Sequence, residues 1–181
     1  MLHPHMPYKG FTLIELIITI AILAILLTVA IPSFRALIIN NRITTQANDF
    51  VSDITYARAE AVRRNTRVTV CYSITGAACA PGATWTAGWI IFTDPAGYGV
   101  VDPGETILRV HGPLTTGAAL VNSGFDYFQF FPSGIVNGVA GGGVPGTAGY
   151  FTLCQTGYFG RIFKFNTTGR INISTTAATC P

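Results

Sequence analysis

The sequence predicts an α+β chain: one long N-terminal helix packed on antiparallel β-sheet. Three observations lead there. An apolar run from Phe11 to Ile31 holds Glu15 as its only charged residue. A narrower apolar stripe at helical spacing continues to about Arg64. Everything after Thr66 reads as short β-branched or aromatic segments separated by Gly, Pro, Asp and Asn. A helix followed only by strands is the pattern of α+β rather than α/β architecture.

The elements divide the chain into residues 1–10, a short polar leader; 11–31, a membrane-spanning half-helix; 32–65, an amphipathic half-helix; and 66–181, a β-rich globular head. At about 1.5 Å per residue the apolar run is ~30 Å long, enough to cross the hydrocarbon core of a bilayer. Pro32 lacks an N–H and is expected to kink the helix near Thr28. Beyond it, Ile43, Ala47, Phe50, Ile54, Ala57 and Ala61 alternate spacings of four and three, one stripe of a helix. Arg42, Asp49, Asp53, Glu60, Arg63 and Arg64 are read as mostly off that stripe, with Arg63, Arg64 and Arg67 complementing the dipole at the helix end.

In the head, Thr66 to Tyr72, Trp85 to Thr93, Thr106 to Val110, Phe125 to Phe131, Tyr150 to Cys154, Arg161 to Phe165 and Arg170 to Ser174 are expected strands. Arg109 is expected to face outward. Asp94-Pro95-Ala96-Gly97 and Asp102-Pro103-Gly104-Glu105 are turn signatures. The Gly-rich stretch Val139 to Gly149 is expected to be a mobile loop.

Four cysteines, Cys71, Cys79, Cys154 and Cys180, admit three pairings. Cys71–Cys79 with Cys154–Cys180 is preferred, because each closes a local loop and the second ties down the C-terminus. An oxidising compartment is implied. There is no C-x-x-C and no His near a Cys, so no zinc site is read, and no metal or cofactor is expected. His111 is read as a solvated loop residue. No Walker loop, nucleophile elbow or H-E-x-x-H is present, and the chain is not expected to be an enzyme. Asp94, Asp102 and Glu105 lack calcium-loop spacing and are read as turn residues.

Glu15 is the anomaly. A lone carboxylate inside a membrane helix is costly and asks for a partner. The leader ends in Lys9-Gly10, before the apolar run rather than after it, unlike an ordinary secretory signal. Cutting after Gly10 would keep the apolar helix and create a new amine on Phe11. The Glu15 of a neighbouring copy could neutralise it. Met6 offers a second start close to the same site.

Gly10-Phe11-Thr12-Leu13-Ile14-Glu15 resembles the class III signal of type IV pilins and type II secretion pseudopilins. The resemblance implies a pilin-like fold, cleavage after Gly10 and methylation of Phe11 by a prepilin peptidase, and pairing of Glu15 with the amine of an adjacent subunit. Pro32 matches the helix-kinking proline of that family. Ala57-Arg58-Ala59-Glu60-Ala61, Gly88-Trp89-Ile90-Ile91-Phe92-Thr93-Asp94, Gly104-Glu105-Thr106-Ile107-Leu108-Arg109 and Gly169-Arg170 resemble the FimT/GspH subfamily of minor pilins and pseudopilins. The implied role is a structural subunit that initiates or caps a type IV pilus, the alternative being a minor pseudopilin of a type II secretion system. The implied partners are other pilins or pseudopilins, the peptidase and the inner membrane. The implied place is a single-pass anchor in that membrane with a periplasmic head, at the pilus tip or in the pseudopilus once assembled.

Some FimT-type subunits also bind DNA in natural transformation through a C-terminal G-R-x-R motif. Here it reads Gly169-Arg170-Ile171-Asn172, with Asn172 in place of the second arginine. From Tyr127 to the end the chain has Arg161, Lys164 and Arg170 and no acid, interleaved with Tyr158, Phe159, Phe163 and Phe165. Such a patch attracts phosphates, and aromatic faces stack on bases. Arg161, Lys164 and Arg170 are therefore the candidate DNA contacts.

Overall fold

The computed structural model describes residues 10–80, 82–140, 144–146, 149–158, 160–166 and 168–176. Helix α1 spans Leu13–Arg64 without interruption, with Pro32 inside it. By internal contacts the chain divides between Ile38 and Ile39 into two compact units. The first is the apolar part of α1, whose large side chains are exposed. The second contains the remainder of α1 and all the strands.

α1 ends where Asn65 adopts a positive φ of 50°. The Thr66 N–H then reaches back to the Ala61 carbonyl at 3.3 Å and the Asn65 N–H to that of Val62. These bonds satisfy carbonyls that a helix end would otherwise leave open.

The strands are β1 (Val68–Tyr72), β2 (Trp89–Thr93), β3 (Ile107–His111), β4 (Ala118–Asn122), β5 (Tyr127–Phe130), β6 (Val136–Ala140), β7 (Val144–Gly146), β8 (Tyr150–Gln155), β9 (Gly160–Phe165) and β10 (Ile171–Thr176). They form a six-stranded sheet in the order β3-β2-β1-β5-β6-β7 and a four-stranded sheet in the order β10-β9-β8-β4. Every pairing is antiparallel.

All six residues of the predicted stripe, from Ile43 to Ala61, are buried. Phe50 is the joint. Its ring meets Trp89 of the larger sheet at 5.3 Å, and Phe151 and Phe163 of the smaller sheet at 4.9 and 5.2 Å. Burying a large aromatic between three others combines transfer from water with edge-on ring contacts.

Several local expectations are corrected. The segment from Trp85 does not run on as one strand. Trp85–Ala87 is a 3-10 turn, and Gly88 at φ +110° separates it from β2. A Cβ at Gly88 would lie 2.4 Å from the His111 carbonyl oxygen, so only glycine lets the two backbones approach. β4 escaped the sequence reading because Ala118–Asn122 is short and weakly patterned. The Gly-rich stretch is not simply a loop. β6 and β7 form a hairpin there, and Gly138 pairs with both Phe128 and Gly146. The ring of Phe125 covers Gly138, 3.4 Å from where its Cβ would be, and supplies the apolar cover that the glycine lacks. Gly141 to Gly143 lie outside the described residues.

Candidate functional site

The head of α1 carries a reciprocal cap. The Glu15 N–H donates to Thr12 Oγ1 at 3.3 Å, and the Thr12 N–H donates to Glu15 Oε2 at 3.5 Å. This is a capping box, in which two open donors of the first turn are satisfied together. Sequence reasoning passed over Thr12, although Thr-x-x-Glu before an apolar run is its signature. Phe11 is 83% exposed, and the space around Gly10 is open to 4 Å.

Along the run that follows, the hydroxyls of Thr19 and Thr28 donate to the carbonyls of Leu16 and Ile25 at 2.8 and 2.7 Å. Their polar groups are thus satisfied within the helix, as a hydrocarbon surrounding requires. α1 is long and apolar enough to cross a membrane.

In the head, two acids read as lying off the helical stripe are buried. Asp53 is 4% exposed. Its Oδ1 accepts from an Arg109 guanidinium nitrogen at 2.7 Å; its Oδ2 accepts from Trp89 Nε1 at 3.0 Å and lies 3.1 Å from His111 Nδ1. Burial by itself would raise its carboxyl, but the bonds from His111, Arg109 and Trp89 outweigh that and hold it below the ordinary value. Arg109 does not simply face outward. It pairs with Asp53 and lies 4.0 Å from the centre of the Tyr56 ring. His111 is not a free loop residue either. It ends β3 directly opposite Trp89, and the two rings stack at 3.9 Å. The cluster fastens α1 to β2 and β3.

Glu60, also buried, is chelated by Arg63 and Arg64. Their hydrogen bonds, Arg63's first, bring its pKa down to about 2. The basic helix end is therefore partly spent on an acid of the same helix. Asp94 is fully buried and its carboxylate is filled: Oδ1 takes the N–H groups of Gly97 and Tyr98, and Oδ2 takes Thr69, Gly99 and Gln129. It is the turn residue that the sequence indicated. Glu105 accepts the Asp102 N–H at 3.0 Å.

Cys71 and Cys79 are joined by a disulfide, as expected. Cys154 is buried and is not a free thiol. Cys180 lies outside the described residues.

The three candidate DNA contacts are not gathered into one patch. Arg161 and Lys164 stand three residues apart on β9, so they have opposite parity and leave opposite faces of the sheet. Arg161 is half-buried, and Lys164 is exposed, opposite Asn172 of β10. Phe163 and Phe165 are buried in the core and cannot stack on bases. Tyr158 packs against the core, and Phe159 lies outside the described residues. Arg170 is exposed beyond Gly169. Its N–H donates to Asn166 Oδ1 at 2.8 Å. Gly169, at φ +74°, sits so close to the turn after β5 that a Cβ would fall 2.6 Å from the Gly134 oxygen. Arg58 of α1 donates to that same oxygen at 3.1 Å.

A capped apolar helix, an amphipathic continuation and a two-sheet head can be compared with known proteins. A model of the prokaryotic N-terminal methylation motif matches residues 6–31. A model described as type II transport protein GspH matches residues 46–177, well over half of the chain. The chain belongs to the GspH family.

This GspH-family chain shares its fold with the type IV minor pilin FimU of Pseudomonas aeruginosa. One crystal form gives a TM-score of 0.55 at 21% identity, covering 78% of this chain and 94% of that one. A second gives 0.52 at 22% identity, covering 76% and 96%. Pilin-like protein PilA1 of Thermus thermophilus is 32% identical over 108 residues, 59% of this chain and 61% of its own. The chain thus spans about three-fifths of that relative's length. The matched descriptions, type II transport protein GspH and pilin-like protein, are those of pilin and pseudopilin proteins.

Proposed function

We propose that the protein is a minor pilin that initiates or caps a type IV pilus. The observation that carries this is the exposed apolar length of α1 with Glu15 held at its very start. A prepilin peptidase cuts after Gly10 and methylates the amine of Phe11. The half-helix then waits in the inner membrane with the head on the periplasmic side. On assembly, Glu15 exchanges its own Thr12 N–H for the Phe11 amine of an adjacent subunit. An N–H is a weaker partner for a carboxylate than a cation, and the difference grows in the low dielectric of a helix core. Pro32 removes the hydrogen bond to the Thr28 carbonyl, where the helix can adjust as it packs. Deleting the gene and counting surface pili tests the reading; unchanged piliation would refute it.

A second reading, a minor pseudopilin of a type II secretion system, is favoured by the family model over residues 46–177. The same deletion separates the two: pili persist and secreted protein stays in the periplasm. The DNA contact suggested by the sequence would rest on Arg170 and Lys164, the exposed members of the candidate set.

A further inference from the structure

The apolar surface of α1 does not stop where the run is already long enough to cross a bilayer. Beyond Ile31 the side chains of Phe34, Leu37 and Ile38 are still exposed, Phe34 at 64%. One cation is set among them. Arg35 is exposed, and no carboxylate pairs with it among the described residues. No acid stands three or four residues from it along the helix, so its own helix does not neutralise it. An exposed guanidinium amid exposed apolar side chains suits an anion that itself stands at an apolar boundary.

The helical rise gives the depth of this residue. Leu13 is the first residue of α1 and is taken at one edge of the hydrocarbon core. Arg35 then lies about 33 Å along the axis, at ~1.5 Å per residue. A tilt of about 20°, the usual value for membrane helices, shortens this to about 31 Å along the bilayer normal. The hydrocarbon core is ~30 Å thick, and the headgroup layer adds roughly 6 Å on each side. Arg35 therefore enters the opposite headgroup layer, and Phe34 lies at the hydrocarbon edge beneath it. A guanidinium forks onto phosphate oxygens with two parallel N–H bonds. A zwitterionic lipid brings an ammonium of its own to that phosphate; an anionic lipid does not.

We propose that Arg35 binds the phosphate of an anionic phospholipid in the periplasmic leaflet and so fixes how deep the rod sits before assembly. Glu15 is on the same rod, about 30 Å along the axis. Holding Arg35 at the phosphates sets the level at which Glu15 waits near the opposite edge. The inference rests on the membrane-anchored reading given above.

The test uses the full-length chain reconstituted into vesicles of equal parts phosphatidylcholine and phosphatidylglycerol. Phe34→Trp places a fluorophore beside Arg35. Native Trp85 and Trp89 are buried in the head, and the unsubstituted chain gives their signal for subtraction. Bromine near the headgroup end of the acyl chains quenches tryptophan at that depth. It is carried by phosphatidylglycerol alone in one preparation and by phosphatidylcholine alone in the other. The expected quenching is about two- to fivefold stronger from brominated phosphatidylglycerol, the preference that one cation near an anionic lipid surface supplies. In the same background Arg35→Glu should bring the ratio to about one, and Arg35→Lys should keep most of it. Arg170→Glu, which changes the charge of the chain equally, should leave it unaltered. Ile22→Trp, near the middle of the run, reports the anchor itself through lipids brominated near their methyl ends. Suppose Ile22→Trp is quenched but Phe34→Trp is not, or is quenched equally by both lipids, or keeps its ratio with Arg35→Glu, or loses it with Arg170→Glu. Any of these refutes the lipid contact and leaves the membrane anchor standing. If neither tryptophan is quenched, both readings fall.

Discussion

Changing Asp53 to Ala should weaken the head more than changing any other single polar side chain of α1. The substitution leaves the Arg109 guanidinium without its carboxylate and the buried Trp89 N–H without an acceptor. Removing one member of a buried ion pair typically costs about 3–5 kcal/mol, and a lone buried donor about 1–3 kcal/mol. The two are not additive here, because Arg109 is 38% exposed and can recover water. The lower end, about 3 kcal/mol, is therefore expected, equivalent to roughly 10 °C in the melting temperature of a head this size. Urea unfolding of the head from Ile39 onward, followed by tryptophan fluorescence, measures it. A double-mutant cycle with Arg109→Ala should return a coupling of about 1–2 kcal/mol. The pH dependence has a definite sign. Asp53 sits below its ordinary value of 3.8, so its contribution is complete above that pH. As pH falls through the lower folded value the contribution is lost, and the Asp53→Ala head should lack this part of the acid sensitivity. A loss under about 1 kcal/mol, or no coupling to Arg109, would show that the cluster does not fasten the helix.

Other outcomes are expected at separate points of the chain. Phe50→Ala should destabilise the head by about 3–5 kcal/mol, since it empties the contact between the helix and both sheets; a change under 1 kcal/mol by the same unfolding assay would contradict that packing. Glu15→Val should insert and be processed but be recovered poorly in sheared filaments; normal incorporation would remove the pairing role. Gly10→Val should accumulate as precursor in the membrane fraction, and a mature-sized band on immunoblot would argue against cleavage after Gly10. In gel-shift titrations with duplex DNA, any salt-sensitive binding should fall with Arg170→Ala and Lys164→Ala and change less with Arg161→Ala; equal effects of all three would mean that the strand parity is irrelevant to it.

The one-dimensional pattern was enough for the helix. Its apolar run, its stripe from Ile43 to Ala61 and its stop after Arg64 depend on residue spacing and on local capping, both of which are written along the chain. The Cys71–Cys79 loop was legible for the same reason, its two ends being close in sequence. The polar interior was not legible. Asp53 and Glu60 looked like solvated acids, because what permits an acid to be buried is a partner from elsewhere. For Asp53 those partners arrive from β2 and β3, 36 to 58 residues away. His111 had no local signal at all. Only the antiparallel register that sets it opposite Trp89 turns a residue beside a Gly-Pro turn into a stacked, bonded one. The basic third of the chain shows the reverse case. Composition grouped Arg161, Lys164 and Arg170, but the two-residue repeat of a strand sends Arg161 and Lys164 to opposite faces, and core burial takes Phe163 and Phe165 away from the surface. Sequence thus determined the rod, its buried stripe and its family. Tertiary structure decided which charges are buried and which remain to meet a neighbour, because that depends on contacts between segments far apart in the chain.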